Sequence, residues 1–145
     1  MRLLKIIRQK RPEKLLPILY VFDEFGECEV SLSELLESVK KAQERLNLGY
    51  YFSEKILYSD QVFEELEKLK DRGYVLFYSY KHDGFFPKNY ISLTPTGKRE
   101  AQNSIRSLSG NELIVIRNAV KEAIEANRER YKIWSRPLFT ERKQV

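Results

Sequence analysis

The longest apolar run in the chain, Leu15-Leu16-Pro17-Ile18-Leu19-Tyr20-Val21-Phe22, sets the first limit on what it can become. Crossing a bilayer takes about 20 apolar residues, so this run reads as a helix buried in a protein core and not as a membrane anchor. With 145 residues, 42% hydrophobic and 32% charged, the chain suits one globular domain with room for an appended helix. Its first residues mix basic side chains with Leu3, Leu4, Ile6 and Ile7. They lack a sustained apolar stretch followed by small residues, which argues against a signal peptide.

Cys28 has no cysteine partner, and His82, the one histidine, cannot form a metal cluster with it unaided. The two lie on different elements with no evident orienting partner. Nor is there a glycine-rich phosphate loop or metal-ligand spacing. The expectation is a cytoplasmic protein without enzymatic activity, cofactor or metal.

The net charge of +5 becomes informative when divided along the chain. Residues 1–14 carry +5, residues 15–80 carry −6, residues 81–109 carry +3 and residues 110–145 carry +3. The body is acidic, and the basic character lies at both ends and in the middle.

Helix signals recur at regular intervals. The apolar run is punctuated by Pro12 and Pro17 and stopped by Gly26. Ser31 with Glu34 forms a capping-box pattern ahead of a stripe of Leu32, Leu35, Leu36, Val39, Ala42 and Leu46. An aromatic connector follows, with Tyr50, Tyr51, Phe52 and Tyr58. Ser59 or Asp60 then caps a helix carrying Val62, Phe63, Leu66 and Leu69, ended by Gly73. Residues 75–80 and 90–93 read as strands, joined through Asp83-Gly84 and a loop that contains Pro87. Thr94-Pro95 caps a further helix, and Ser109 with Glu112 opens a last one over about residues 111–131.

This order, with Asp71-Arg72-Gly73-Tyr74-Val75 entering a hairpin and Leu93-Thr94-Pro95-Thr96-Gly97-Lys98 leaving it, resembles winged-helix proteins, especially the PadR-like and MarR-like regulator superfamilies. The resemblance covers roughly residues 15–108, and its motifs are short and chiefly structural. It implies a mainly α fold with a small β-hairpin (α+β), in which residues 1–14 form a basic arm or short helix. Residues 15–108 would be the winged-helix domain, 109–134 a C-terminal helix for dimerisation and 135–145 a basic tail. The helix of residues 60–72 would occupy the recognition-helix position, with residues 81–89 as the wing tip. A homodimer would set two reading heads about 34 Å apart on double-stranded DNA.

Several residues then become candidates for DNA contact. Lys81 and Lys88 would meet phosphates from the wing, with His82 and Asn89 beside them. Gln61, Lys68 and Arg72 would act from the third helix, and Arg8, Lys10 and Arg11 from an N-terminal arm. For each there is a plainer alternative, in which Phe85 and Phe86 fold onto the core, the lysines are merely solvated, and Leu3, Leu4, Ile6 and Ile7 pack the N-terminus. Leu113, Ile116, Val120, Ala123, Ile124 and Asn127 read as a dimer seam, or else as the face of a helix packed on its own domain. The aromatic connector could stack bases or fill the core.

Two features depart from the resemblance. The second and third helices are separated by residues 48–58, longer than a helix-turn-helix turn. The third helix also carries Asp60, Glu64, Glu65, Glu67 and Asp71 against Lys68, Lys70 and Arg72, with Asp60, Gln61, Glu64, Glu65, Lys68 and Arg72 expected to face outward. A phosphate backbone repels such a surface. The expected function is therefore a transcriptional regulator that touches DNA through its wing. The rival is a protein-interaction module that uses the acidic third helix.

Overall fold

Helix α1, Leu15–Glu24, has almost no polar face: Leu15, Leu16, Pro17, Ile18, Leu19, Val21 and Phe22 are all buried. A helix apolar around its whole circumference must be covered on every side, and the other elements are arranged to do this. The structure is a computed structural model and describes residues 14–80 and 88–144. After α1 come β1 (Val30–Ser31), α2 (Leu32–Gln43), α3 (Asp60–Asp71), β2 (Val75–Tyr80), β3 (Lys88–Leu93), α4 (Pro95–Arg106) and α5 (Gly110–Gln144). The fold is mainly helical, with five helices and one three-stranded antiparallel sheet among the described residues, and so belongs to the α+β class. None of these helices is long and apolar enough to cross a membrane.

The strand order is β1-β3-β2, with Val30 opposite Ile91, and Phe77 opposite Ile91 on the other side. The hairpin of β2 and β3 matches the two strand runs in the sequence, with β3 starting at Lys88 rather than residue 90. Strand β1 has no counterpart in the sequence reading. Two residues are too few to show an alternating pattern, and Val30 gains its burial only by pairing with β3.

The capping signals map onto the helix starts. Ser31 and Glu34 make the full capping box of α2, Ser59 rather than Asp60 caps α3, and Ser109 and Glu112 exchange hydrogen bonds at the start of α5. Gly26 and Gly73, with φ of +87° and +80°, take the left-handed turns after α1 and α3.

Helix α5 lies across α1 and α2, and Ile116, Ala119, Val120, Ala123 and Ile124 are buried there. This corrects the dimer-seam reading: Ile116, Val120, Ala123 and Ile124 belong to the chain's own core, and Leu113 packs against its edge. The cause is α1, whose apolar circumference leaves a side that α2, α3 and the sheet do not cover. Asn127 is half-buried at the end of the same stripe. The ion pairs Arg117–Glu24 at 3.3 Å and Lys41–Glu122 at 3.5 Å border the packing, and exposed pairs of this kind contribute little. The helix continues to Gln144, past the end expected near Tyr131.

The junction between α3, the hairpin and α4 is tight. Thr94 donates from its hydroxyl to Gly73 O at 2.6 Å and accepts from Gly97 N at 2.9 Å, while Thr94 N donates to Tyr74 O at 3.0 Å. A Cβ on Gly97 would stand 1.9 Å from Tyr74 O. The glycine is therefore needed for close approach, at a position with no unusual φ. We predict that Gly97→Ala destabilises the fold by about 3 kcal/mol, the upper part of the usual overpacking range. Urea denaturation measures this, and a loss below about 0.5 kcal/mol, as for a surface change, would contradict the clash.

Candidate nucleic-acid interface

The residues of α3 divide by helical periodicity. Val62, Leu66 and Leu69 face the core, and Phe63 meets Phe77 of β2 edge-on at a centroid distance of 5.5 Å. On the opposite side Asp60, Glu64, Glu67 and Asp71, spaced by four, three and four residues, form one ridge. Of these, Asp60, Glu64 and Asp71 are exposed and Glu67 is half-buried. One flank of the ridge carries Gln61, Lys68 and Arg72, also exposed. The outermost line of the helix is thus wholly acidic, with Lys68 and Arg72 on one flank and Lys70, also exposed, on the other.

Two residues expected to face outward make hydrogen bonds within the chain, Glu65 from a half-buried position and Gln61 while still exposed. Glu65 is half-buried: its carboxylate accepts from Tyr50 Oη at 2.5 Å and from Leu15 N, at the start of α1, at 3.1 Å. The Gln61 side-chain carbonyl accepts from Tyr51 N. The long connector explains both assignments. It runs back along α3 and is fastened at several points, with Gln43 exchanging two hydrogen bonds with the backbone of Tyr50 at 2.7 and 2.8 Å. Lys14 donates to Leu48 O and lies over the Tyr50 ring at 5.8 Å.

Base stacking by Tyr50 and Phe52 does not fit this arrangement. Tyr50 is buried with its hydroxyl engaged by Glu65, and Phe52 packs against the core. Tyr51, 72% exposed, and Ile56, 64% exposed, are the large apolar side chains that the connector presents to solvent.

Burial of Glu65 pushes its carboxyl above the usual value of 4.5, while the Tyr50 hydroxyl, the Leu15 amide and Lys14 pull it down. Glu34, 4% exposed inside its capping box, is raised for the same reason, against the opposing hydrogen bonds from Ser31.

On the hairpin, Tyr78 and Tyr90 form a cross-strand pair stacked at 6.3 Å. Lys88 and Asn89 are exposed at the start of β3, opposite Tyr80 and Ser79. The structure therefore places Lys88 and Asn89 at the far end of the hairpin, away from its junction with α4, and places Gln61, Lys68 and Arg72 on one flank of α3. Lys81, His82, Arg8, Lys10 and Arg11 lie outside the described residues, as do Phe85 and Phe86. Cys28 is exposed as a free thiol, and no group of three or more acidic, histidine or cysteine side chains among the described residues could hold a metal ion. Sequence reading missed the inward role of Glu65. Its position beside the Val62-Leu66-Leu69 stripe was the available signal, but its partners come from elements 15 and 50 residues away.

No family model matches the chain, and no curated protein matches it. Among solved structures, smu.1604c from Streptococcus mutans UA159 is similar, with 20% identity over 92% of this chain and 80% of that chain and a TM-score of 0.45. Similarity at that level carries no argument about fold or function.

The Glu65 contacts yield a test with a defined sign. A folded-state pKa above 4.5 means that the folded chain holds this proton more tightly than the unfolded chain. The stability due to protonation is then present at acid pH and is lost as pH rises through the folded value. Glu65→Gln can still accept from Leu15 N and donate to Tyr50 Oη, without the ionisation. We predict that wild type loses stability relative to Glu65→Gln as pH rises above 4.5. Glu65→Ala should cost about 3 kcal/mol or more at neutral pH, from two lost hydrogen bonds to a charged group at about 1.5–3 kcal/mol each. Denaturation of the three proteins at several pH values measures this. A constant difference between wild type and Glu65→Gln would contradict the assignment.

Proposed function

We propose that the chain is a cytoplasmic winged-helix DNA-binding protein, acting in transcriptional regulation, whose hairpin contacts duplex DNA and whose α3 ridge stays clear of it. The observation that carries this reading is the position of Lys88 and Asn89, exposed at the far end of a hairpin seated on the core by the Thr94 and Gly97 junction. The element order and the β1-β3-β2 sheet suit a winged helix. The basic stretch of residues 81–89 continues from that end, and Lys88 with Lys81 supplies cations for phosphate contact. Lys68, Arg72 and Gln61 offer a secondary contact line on one flank of α3.

A second reading is favoured by one observation, the acidic ridge of Asp60, Glu64, Glu67 and Asp71. In that reading α3 docks a basic protein segment and the hairpin serves stability. The two separate cleanly. For the hairpin reading, duplex affinity falls steeply with salt, and Lys81→Ala with Lys88→Ala lowers the salt slope by about 2, one per phosphate contact. Glu64→Lys with Glu67→Lys then leaves or raises duplex affinity, whereas in the second reading it abolishes binding to a lysine-rich peptide. A titration at two salt concentrations measures this, and no duplex binding at low salt would refute the hairpin reading.

Self-association is also part of the proposal. The face of α5 up to Ile124 packs inside the chain, so the proposed contact uses a surface other than that stripe. Light scattering should give a dimer mass for the intact chain. A monomer mass for the intact chain would contradict it.

A further inference from the structure

Strand β2 lies at one side of the sheet, and among the described residues no strand pairs with its outer edge. Which of its backbone groups face that edge follows from one hydrogen bond. Thr94 N donates to Tyr74 O, just before the ladder that begins at Val75 and Leu93. Backbone groups alternate in direction along an antiparallel strand, so Leu76 and Tyr78 point to β3, as Tyr74 does. Val75, Phe77 and Ser79 therefore turn their N–H and C=O groups to the open edge. No other hydrogen bond takes up these groups among the described residues.

Proteins usually guard such an edge with a charge, a proline, a bulge or a very short strand. None of these devices is present in β2. Its six residues, Val75-Leu76-Phe77-Tyr78-Ser79-Tyr80, carry no charge. They match β3 one for one from Val75 to Tyr80, without a bulge. Helix α3 covers the inner face of the strand, where Phe63 meets Phe77. On the outer face Leu76 is 56% exposed, and Ser79 is exposed as well.

We propose that this edge pairs with the same edge of a second copy of the chain, antiparallel and centred on Phe77. The alternation selects that register. Phe77 then faces the partner's Phe77, and Val75 faces the partner's Ser79, so all three outward residues of each strand are bonded. A slide by two residues sets one of the three against a residue outside β2. A slide by one sets outward groups against groups already turned to β3. The contact is self-complementary about a twofold axis, and it joins two three-stranded sheets into one of six strands. It also places the exposed Leu76 opposite the partner's Tyr78. A second copy is the occupant that the structure itself supplies, because its β2 has the length, the pattern of free groups and the lack of charge that the edge requires. The inference rests on the self-association reading and gives that contact a place, since the stripe of α5 is buried within the chain.

Sedimentation of the full chain tests this, with amide hydrogen exchange as a second measurement. Ser79→Pro removes an N–H that faces the open edge and none from the ladder of β2 and β3, a position where an edge strand tolerates proline. It should weaken the dimer by about tenfold or more, because the loss enters the twofold contact twice. Ser79→Thr keeps the N–H and should leave the dimer intact. In the wild-type chain the amides of Phe77 and Ser79 should gain protection as concentration rises through dimer formation. Those of Leu76 and Tyr78, bonded to β3, should be protected at every concentration. A wild-type chain that stays monomeric would refute self-association and this contact together. A dimer of equal affinity in Ser79→Pro, or exchange at Phe77 and Ser79 that does not depend on concentration, would overturn the edge pairing and leave self-association standing.

Discussion

The need to cover α1 on every side organises the rest of the structure. A helix whose exposed positions are few cannot sit at a surface, and its residues Leu15 to Phe22 contact α2, α3, β3, α4 and α5. Fully burying each large apolar side chain contributes about 1.5–3 kcal/mol, so the chain gains more by wrapping α1 than by any single exposed contact. The first part of α5 closes the remaining side, which is why its apolar stripe is unavailable to a second copy.

A second constraint follows at the start of α1. The first amides of a helix have no partner within it, and Leu15 N finds one in Glu65 of α3. Through Tyr50 the same carboxylate holds the long connector, and Gln43 and Gln61 fasten that connector at its two flanks. An acidic side chain on α3 is therefore part of the scaffold, while Asp60, Glu64, Glu67 and Asp71 remain outside as a ridge. Glu65 works inside the fold because it is half-buried and hydrogen-bonded, and the ridge carboxylates have solvent instead.

What was legible in the sequence was whatever is decided locally. The Ser31–Glu34 and Ser109–Glu112 patterns, the Thr94-Pro95 start, the stops at Gly26 and Gly73 and the two strand runs each depend on a few neighbouring residues, and each appears in its place. What was not legible depends on distant partners. Strand β1 is a strand only because Ile91 lies beside Val30. The stripe of α5 could have faced a copy or its own core, and the same spacing of three and four fits both. Glu65 looked solvent-facing because its partners, Tyr50 and Leu15, lie on other elements, and for the exposed Gln61 only the hydrogen bond from Tyr51 N could not be foreseen. The acidic count of α3 could be read in advance, but its division into one inward carboxylate and one outward ridge could not.

These divisions give the proposed DNA contact a definite polarity, with the hairpin end bearing Lys88 on the nucleic acid and the α3 ridge turned from it. Site-specific photo-crosslinking tests this most directly, with a photoreactive residue at position 88 in one protein and at position 64 in another, each mixed with the same duplex at low salt. The account predicts a crosslink from position 88 and none from position 64. A crosslink from position 64 with none from position 88 would contradict it.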